Sequence, residues 1–223
     1  MINTKTLWGY TKGENYDLGC TGGSVCVYNK AGEEVAVFKG ISKAYNAAFI
    51  PNQNRFIVRS TDGIIAVYSL DEMKQVTKFR FSKLGNQENG YCFSSDGSLF
   101  YLIENYNGLY TRIHVYETEN FTEVDCLLGN EKNRYLTNLE CFHGRLIVLG
   151  YMRNFGVISC GFVAYLDDGK MNSVTRIALT DFDYVNRYKT LELFGFTEKA
   201  MKWLPLPDDR EKEMTEFSLV DLF

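Results

Sequence analysis

Two histidines, six cysteines and a scatter of carboxylates carry the reactive side chains of this 223-residue chain. Hydrolysis of a glycan needs two carboxyl groups at a set separation across the sugar, one to protonate and one to attack or to activate water. The sequence offers Asp181 and Asp183 in TDFDY, Glu104 in LIENY and Glu140 in NLECF. Asp181 and Asp183 stand two apart in a loop and read as a solvated turn. Glu140, between Leu139 and Cys141 in an apolar run, is the carboxylate best placed to line a channel. His114 alternates with Arg112 and Tyr116, and His143 precedes Gly144 in a tight turn. Neither has a second histidine at ligand spacing, and no two cysteines form a CxxC pair. The expectation is therefore structural histidines, no metal, no cofactor and no catalytic residue. No Gly-rich phosphate loop, Gly-x-Ser-x-Gly elbow or Cys–His signature is present either.

The elements that would hold such groups are strands. Ile64 to Phe81, IIAVYSLDEMKQVTKFRF, contains two apolar runs around the polar tract Ser69 to Lys74. Val76, Lys78 and Arg80 alternate with Thr77, Phe79 and Phe81, the period of two of a half-buried strand, so the stretch predicts a β-hairpin. Relatives of it recur. Tyr28 in SVCVYN, Tyr68 in IAVYSL, Tyr116 in RIHVYE and Tyr165 in GFVAYL stand at intervals of roughly 40–50 residues. Each is preceded by a glycine-bearing turn and followed by a second strand: Glu34 to Phe38, Val76 to Phe81, Val124 to Leu128, Val174 to Leu179. Upstream apolar runs such as Phe56-Ile57-Val58, Tyr91-Cys92-Phe93 and Leu146 to Leu149 complete a unit of four short strands. Such a unit buries two faces only when it has neighbours on both sides, and repetition closes the sheets into a ring.

The expected architecture is all-β, a single domain over residues 1–223, built as a small β-propeller of about five four-stranded blades. The approximate blades are 5–38, 45–81, 90–128, 136–179 and 189–223. The first strand of the first blade is expected at Thr6 to Tyr10. The last blade lacks a fourth strand, which Met1 to Thr6 would supply. The alternative is an incomplete ring closed by a second subunit, a homodimer.

Composition bounds the function classes. The apolar share of 45% and the aromatic share of 15%, with 16 Phe and 15 Tyr, fit sheets and not a disordered chain. A net charge of −4 argues against general binding of nucleic acid, which needs a basic surface. The N-terminal stretch carries no apolar core of signal-peptide length, and no segment approaches the roughly 18 apolar residues of a membrane span. The cysteines, at positions 20, 26, 92, 126, 141 and 160, read as reduced, small, buried residues of a cytoplasmic protein. A Cys20–Cys26 disulfide is the alternative, and it requires an oxidising compartment.

The stretch FSSDGSLFYLI (Phe93 to Ile103) and the strands VCVYN, IAVYS and IHVYE resemble the WD-repeat and YVTN-type β-propellers. The first matches the hairpin between their opening two strands, and the others stand where their third strands stand. The resemblance covers about Gly22 to Leu179. The Gly-His dipeptide of WD repeats is absent, and Trp-Asp is replaced by Tyr28-Asn29, Tyr68-Ser69, Tyr116-Glu117 and Tyr165-Leu166, so their hydrogen-bond network does not carry over. The resemblance implies a rigid platform for protein partners.

Antiparallel order puts alternate loops on one face. Those loops are expected to hold Tyr106 and Asn107, Arg134 and Tyr135, Arg153, Asn154 and Phe155, and Tyr184, Arg187 and Tyr188. Tyr and Arg are enriched in interface hot spots. The expected function is a non-catalytic scaffold that binds a protein or peptide through this patch, with neither nucleic acid nor membrane as partner. The alternative is a small propeller glycoside hydrolase acting through channel carboxylates.

Overall fold

The computed structural model describes residues 6–83, 90–106, 110–132, 134–142, 145–154, 157–167 and 170–177. Among them the fold is all-β. Sheet I runs in chain order through β1 (Gly9–Lys12), β2 (Tyr16–Cys20), β3 (Gly22–Asn29), β4 (Glu34–Phe49), β5 (Arg55–Ser60), β6 (Ile64–Ser69) and β7 (Lys74–Arg80). Sheet II holds β8 (Tyr91–Phe93), β9 (Leu99–Tyr106), β10 (Tyr110–Glu117) and β11 (Glu123–Lys132). Sheet III holds β12 (Arg134–Phe142), β13 (Arg145–Asn154), β14 (Val157–Asp167) and β15 (Lys170–Ile177). Every ladder is antiparallel, and all three sheets are open.

The pattern of β6 explains why its apolar residues run consecutively. Both of its faces are covered, by different cores. Ala66 and Tyr68 pack with Leu18, Val25, Phe38 and Phe56, while Ile65 and Val67 pack with Phe100, Leu102 and Tyr116 of sheet II. The outer strand β7 behaves otherwise: Thr77 and Phe79 are half-buried and Lys78 and Arg80 exposed, the alternation read from sequence. A third core joins sheets II and III through Ile103, Ile113, Leu136, Leu139, Val148 and Phe162. Of the repeated tyrosines, Tyr68 and Tyr116 belong to these cores. Tyr68 and Tyr116 are buried and Tyr28 is half-buried.

Sheet I departs from the expected pair of separate blades. Its 16-residue strand β4 serves two units: Glu34–Lys39 pairs with β3, and Ala44–Phe49 pairs with β5. The chain bends between these halves without leaving the ladder, because Gly40 (φ 97°) and Lys43 (φ 52°) both take left-handed backbone. The bend is pinned from β5, where the Ser60 hydroxyl donates to the Ser42 carbonyl at 2.6 Å. The first strand begins at Gly9, later than expected.

β1 lies beside the second half of β4, and β8 lies beside β12. The Thr11 hydroxyl of β1 donates to the Ala47 carbonyl in the second half of β4 at 2.6 Å, and a Cβ on Gly9 would sit 2.3 Å from the Tyr45 carbonyl oxygen. From β8, the Tyr91 hydroxyl bonds the Asn46 side chain at 3.1 Å. Gly90, just before β8, packs so closely on Asn138 of β12 that a Cβ would lie 2.6 Å from its Cα. The Arg59 guanidinium is sandwiched between the rings of Tyr45 and Tyr91, 5.8 and 5.6 Å from their centroids, which ties sheets I and II. The expected last blade, 189–223, and the proposed closing segment Met1 to Thr6, apart from Thr6 itself, lie outside the described residues.

The cysteine expectation needs correction. Cys20, Cys26 and Cys92 are buried free thiols, but Cys126 is exposed and Cys141 half-buried. Cys126 sits on the outer strand β11, which has no further strand beyond it in sheet II. No helix among the described residues is long and apolar enough to cross a membrane.

Candidate functional site

At one end of sheet I, four turns converge on a groove of about 1040 Å³. They are the β1–β2 turn, the β3–β4 turn at Asn29, the β4–β5 turn and the β6–β7 turn at Leu70-Asp71. Asp17 braces the β1–β2 turn that forms one wall. It accepts from the Tyr10 hydroxyl at 2.5 Å, from Lys30 Nζ at 2.6 Å and from the Gly13 amide at 3.3 Å. Lys30 and Tyr10 together hold its carboxyl below the ordinary range, against the opposing effect of burial. Asn29 shapes the neighbouring turn by accepting from the amides of Ala31 and Glu33 at 3.0 and 2.9 Å.

The β4–β5 turn forms the opposite wall and is locked to sheet II. Asn52 Nδ2 donates to the Asp96 carbonyl at 3.2 Å, and Gln53 Nε2 donates to the Thr118 hydroxyl at 2.8 Å. Asn54 Nδ2 donates to Asp71 at 2.9 Å, closing the far corner. The facing turn Ser94–Ser98 is the FSSDGS hairpin, where Asp96 accepts from the Ser98 amide at 3.0 Å and Gly97 takes φ 75°. The half-buried rings of Tyr16 and Phe49 line the groove, while Lys12, Glu14 and Asn15 reach exposed from its rim. The result is a set of amide and charged groups beside two aromatic surfaces, suited to holding a polar chain with apolar side groups.

The residues singled out from the sequence sit at the other end of the strands. Tyr106 ends β9, Arg134 and Tyr135 open β12, and Arg153 and Asn154 end β13. Arg134 and Tyr135 are half-buried strand residues and not loop residues, because β11 continues to Lys132 and β12 resumes at Arg134. The Tyr135 ring stacks on buried Tyr151, centroids 4.8 Å apart and planes 17° from parallel. Asn107, Phe155, Tyr184, Arg187 and Tyr188 lie outside the described residues, as do Asp181, Asp183 and His143.

A second polar centre bridges sheets I and II, and sequence reading found only part of it. Glu104 is buried, accepting from Arg112 Nε at 2.5 Å and contacting His114 Nε2 at 3.1 Å. Burial alone would push its carboxyl up. Hydrogen bonds from His114, Ser82 and Arg112 overturn that and hold it at about 2. His114 is the buried middle of the chain of contacts, with Nδ1 2.7 Å from Glu123 Oε1. Burial opposes its charge, but the two carboxylates prevail and raise its pKa. Glu123 and Cys126 join His114 as a group of mixed ligand atoms able to hold a metal, all within 4.8 Å of one another. No spacing cue marks this trio in the sequence, since a strand register, unlike a CxxC, is not written in local separation. Glu140 is half-buried in β12, and burial pushes its carboxyl up.

No protein-family model matches the chain, and no curated protein matches it. Among solved structures it is similar to the crystal structure of the computationally designed Ika4 protein, at 12% identity and a TM-score of 0.52, over 77% of this chain and 91% of that one. At that identity the likeness concerns the fold alone.

Proposed function

We propose that the chain is a non-catalytic β-propeller of WD-repeat-like build that binds a protein or peptide, and that the groove at the turn end of sheet I is its docking surface. Two four-stranded antiparallel sheets following a seven-stranded one, with apolar cores packing sheet I on sheet II and sheet II on sheet III, support the ring-like reading. The observation that carries the binding reading is the groove itself. A side-chain amide carries two N–H donors and a carbonyl acceptor, so Asn15, together with the capacity that Asn52 and Asn54 keep beyond their single bonds to Asp96 and Asp71, matches the N–H and C=O groups of an extended peptide. Tyr16 and Phe49 offer the apolar contact that anchors one of its side chains. The Arg134–Tyr135 end of sheet III, the patch read from the sequence, is the alternative docking surface. A cytoplasmic location belongs to the proposal too.

The hydrolase alternative draws less support. Glu104 is consumed by Arg112 and His114 inside the protein, which removes it from work on a sugar. Selection of a random peptide library on the purified chain tests the proposal. Enriched peptides should bind the parent and lose at least tenfold in affinity on Tyr16→Ala/Asn54→Ala. An absence of enrichment, or equal affinity for the double variant, would reject the groove as the docking surface.

A further inference from the structure

An irregularity in β11 brings three different ligand-bearing side chains to one face. In a regular strand Glu123 and Cys126, three positions apart, point to opposite sides. Here Val115 pairs with Asp125 while Tyr116 pairs with Glu123, so Val124 is an extra residue, and it bulges into solvent at 49% exposure. The bulge turns Glu123 to the face that already holds Cys126. Directly across the ladder from Cys126 stands His114. An imidazole nitrogen, a carboxylate oxygen and a thiol sulfur thus gather within 4.8 Å of one another.

The geometry points to a binding site for a zinc-class divalent cation, held by His114 Nδ1, the Glu123 carboxylate and the Cys126 thiolate, with water as fourth ligand. The groups behind the imidazole favour this arrangement. Glu104, fixed by Arg112 at 2.5 Å, faces His114 Nε2 at 3.1 Å and accepts its N–H. That contact orients the ring and leaves Nδ1 as the ligating nitrogen, the carboxylate–histidine–metal pattern. Phe81 and Tyr116 flank the imidazole, with ring centroids at 6.5 and 6.0 Å, and close off its inner side. The mixed N, O and S set selects the class of ion. Calcium and magnesium take oxygen ligands, whereas a thiolate with an imidazole suits zinc and its analogues. Cys126 and Glu123 are exposed, so the ion enters from solvent without opening the core. As the ion binds, the Cys126 thiol proton and the His114 Nδ1 proton that bonds Glu123 both leave to water, while the Nε2 proton stays on the ring, donated to Glu104. The bound ion would clamp β10 to β11 across the bulge.

The test uses the full chain, reduced and stripped with a chelator, titrated with Co²⁺ and then Zn²⁺. Co²⁺ should saturate a single site with thiolate-to-cobalt charge-transfer absorbance, and Zn²⁺ should displace it. Cys126→Ser should abolish that absorbance. Glu123→Gln should weaken Zn²⁺ binding by about 100-fold or more, at or beyond the limit of the 10–100-fold that outer-shell changes cost. Circular dichroism and the melting curve verify that both variants, at exposed positions, remain folded. A charge-transfer band that survives in Cys126→Ser, Zn²⁺ affinity unchanged in Glu123→Gln, or no saturable binding by the parent, would overturn the site.

Discussion

The side chain of Asn105 takes the place of a strand for Leu136. Its Nδ2 donates to the Leu136 carbonyl at 2.8 Å, and its Oδ1 accepts from the Leu136 amide at 3.2 Å, so one amide reproduces the two-bond exchange of a backbone pair. The Thr111 hydroxyl donates to the same Oδ1. All three residues are buried, and the bonds join sheet II to sheet III where neither sheet supplies a ladder between them. Asn105→Ala leaves both backbone groups of Leu136 without partners. The expected loss is about 2–6 kcal/mol, since each of the two buried orphans costs about 1–3. Urea unfolding measures it, and a loss under about 0.5 kcal/mol would deny the amide its bridging role.

Tyr68 presents the opposite case. Its ring is buried between Phe38 and Phe56, at centroid distances of 4.7 and 5.2 Å, yet its hydroxyl is a buried polar atom with no hydrogen-bond partner. Burial pushes the phenol up to about 12. Removing the oxygen while keeping the ring should help, so Tyr68→Phe is expected to stabilise the chain by about 1 kcal/mol. A drop in melting temperature for this variant would show that the hydroxyl has work to do.

Acid stability should report on Asp17. Lys30 and Tyr10 lower its folded-state pKa, so its contribution is complete above the unfolded value of about 3.9 and disappears as pH falls through the lower folded value. The melting temperature of the parent should therefore fall more steeply below about pH 4 than that of Asp17→Asn, and the variant should be the less stable at neutral pH. Parallel curves would mean that the Asp17 contacts contribute nothing net.

Thiol reactivity separates the cysteines by place in the sheet. A thiol reagent on the native, metal-free chain should modify exposed Cys126 first, while Cys20, whose thiol burial drives up to about 12, reacts only on unfolding. Cys126→Ser should remove the fast phase. A fast phase unchanged in that variant would contradict the placement of Cys126 on the open edge.

Much of the fold was legible because its units are local. The Ile64–Arg80 hairpin pairs as its alternation predicts, and two of the spaced tyrosines, Tyr68 and Tyr116, sit in successive cores. The continuity of β4 was not legible: Gly40 reads as a turn, and only the ladder shows that the chain bends there without leaving the sheet. The groove was hidden for a different reason. Its walls come from turns separated by 44 positions or so in sequence, such as Asn52 against Asp96, and no local pattern announces such a meeting. The His114 centre depends on a one-residue bulge, and a slip of that size changes which face every later side chain takes.

The central claim is that the groove beside Tyr16 and Phe49 receives an extended peptide. It is tested most directly by recording backbone amide NMR shifts of the full chain while adding a library-selected peptide. The shifts are expected to concentrate at residues 12–16, 49–54 and 70–71, with little change at Arg134 and Tyr135. Shifts confined to the Arg134–Tyr135 end, with the groove silent, would contradict it.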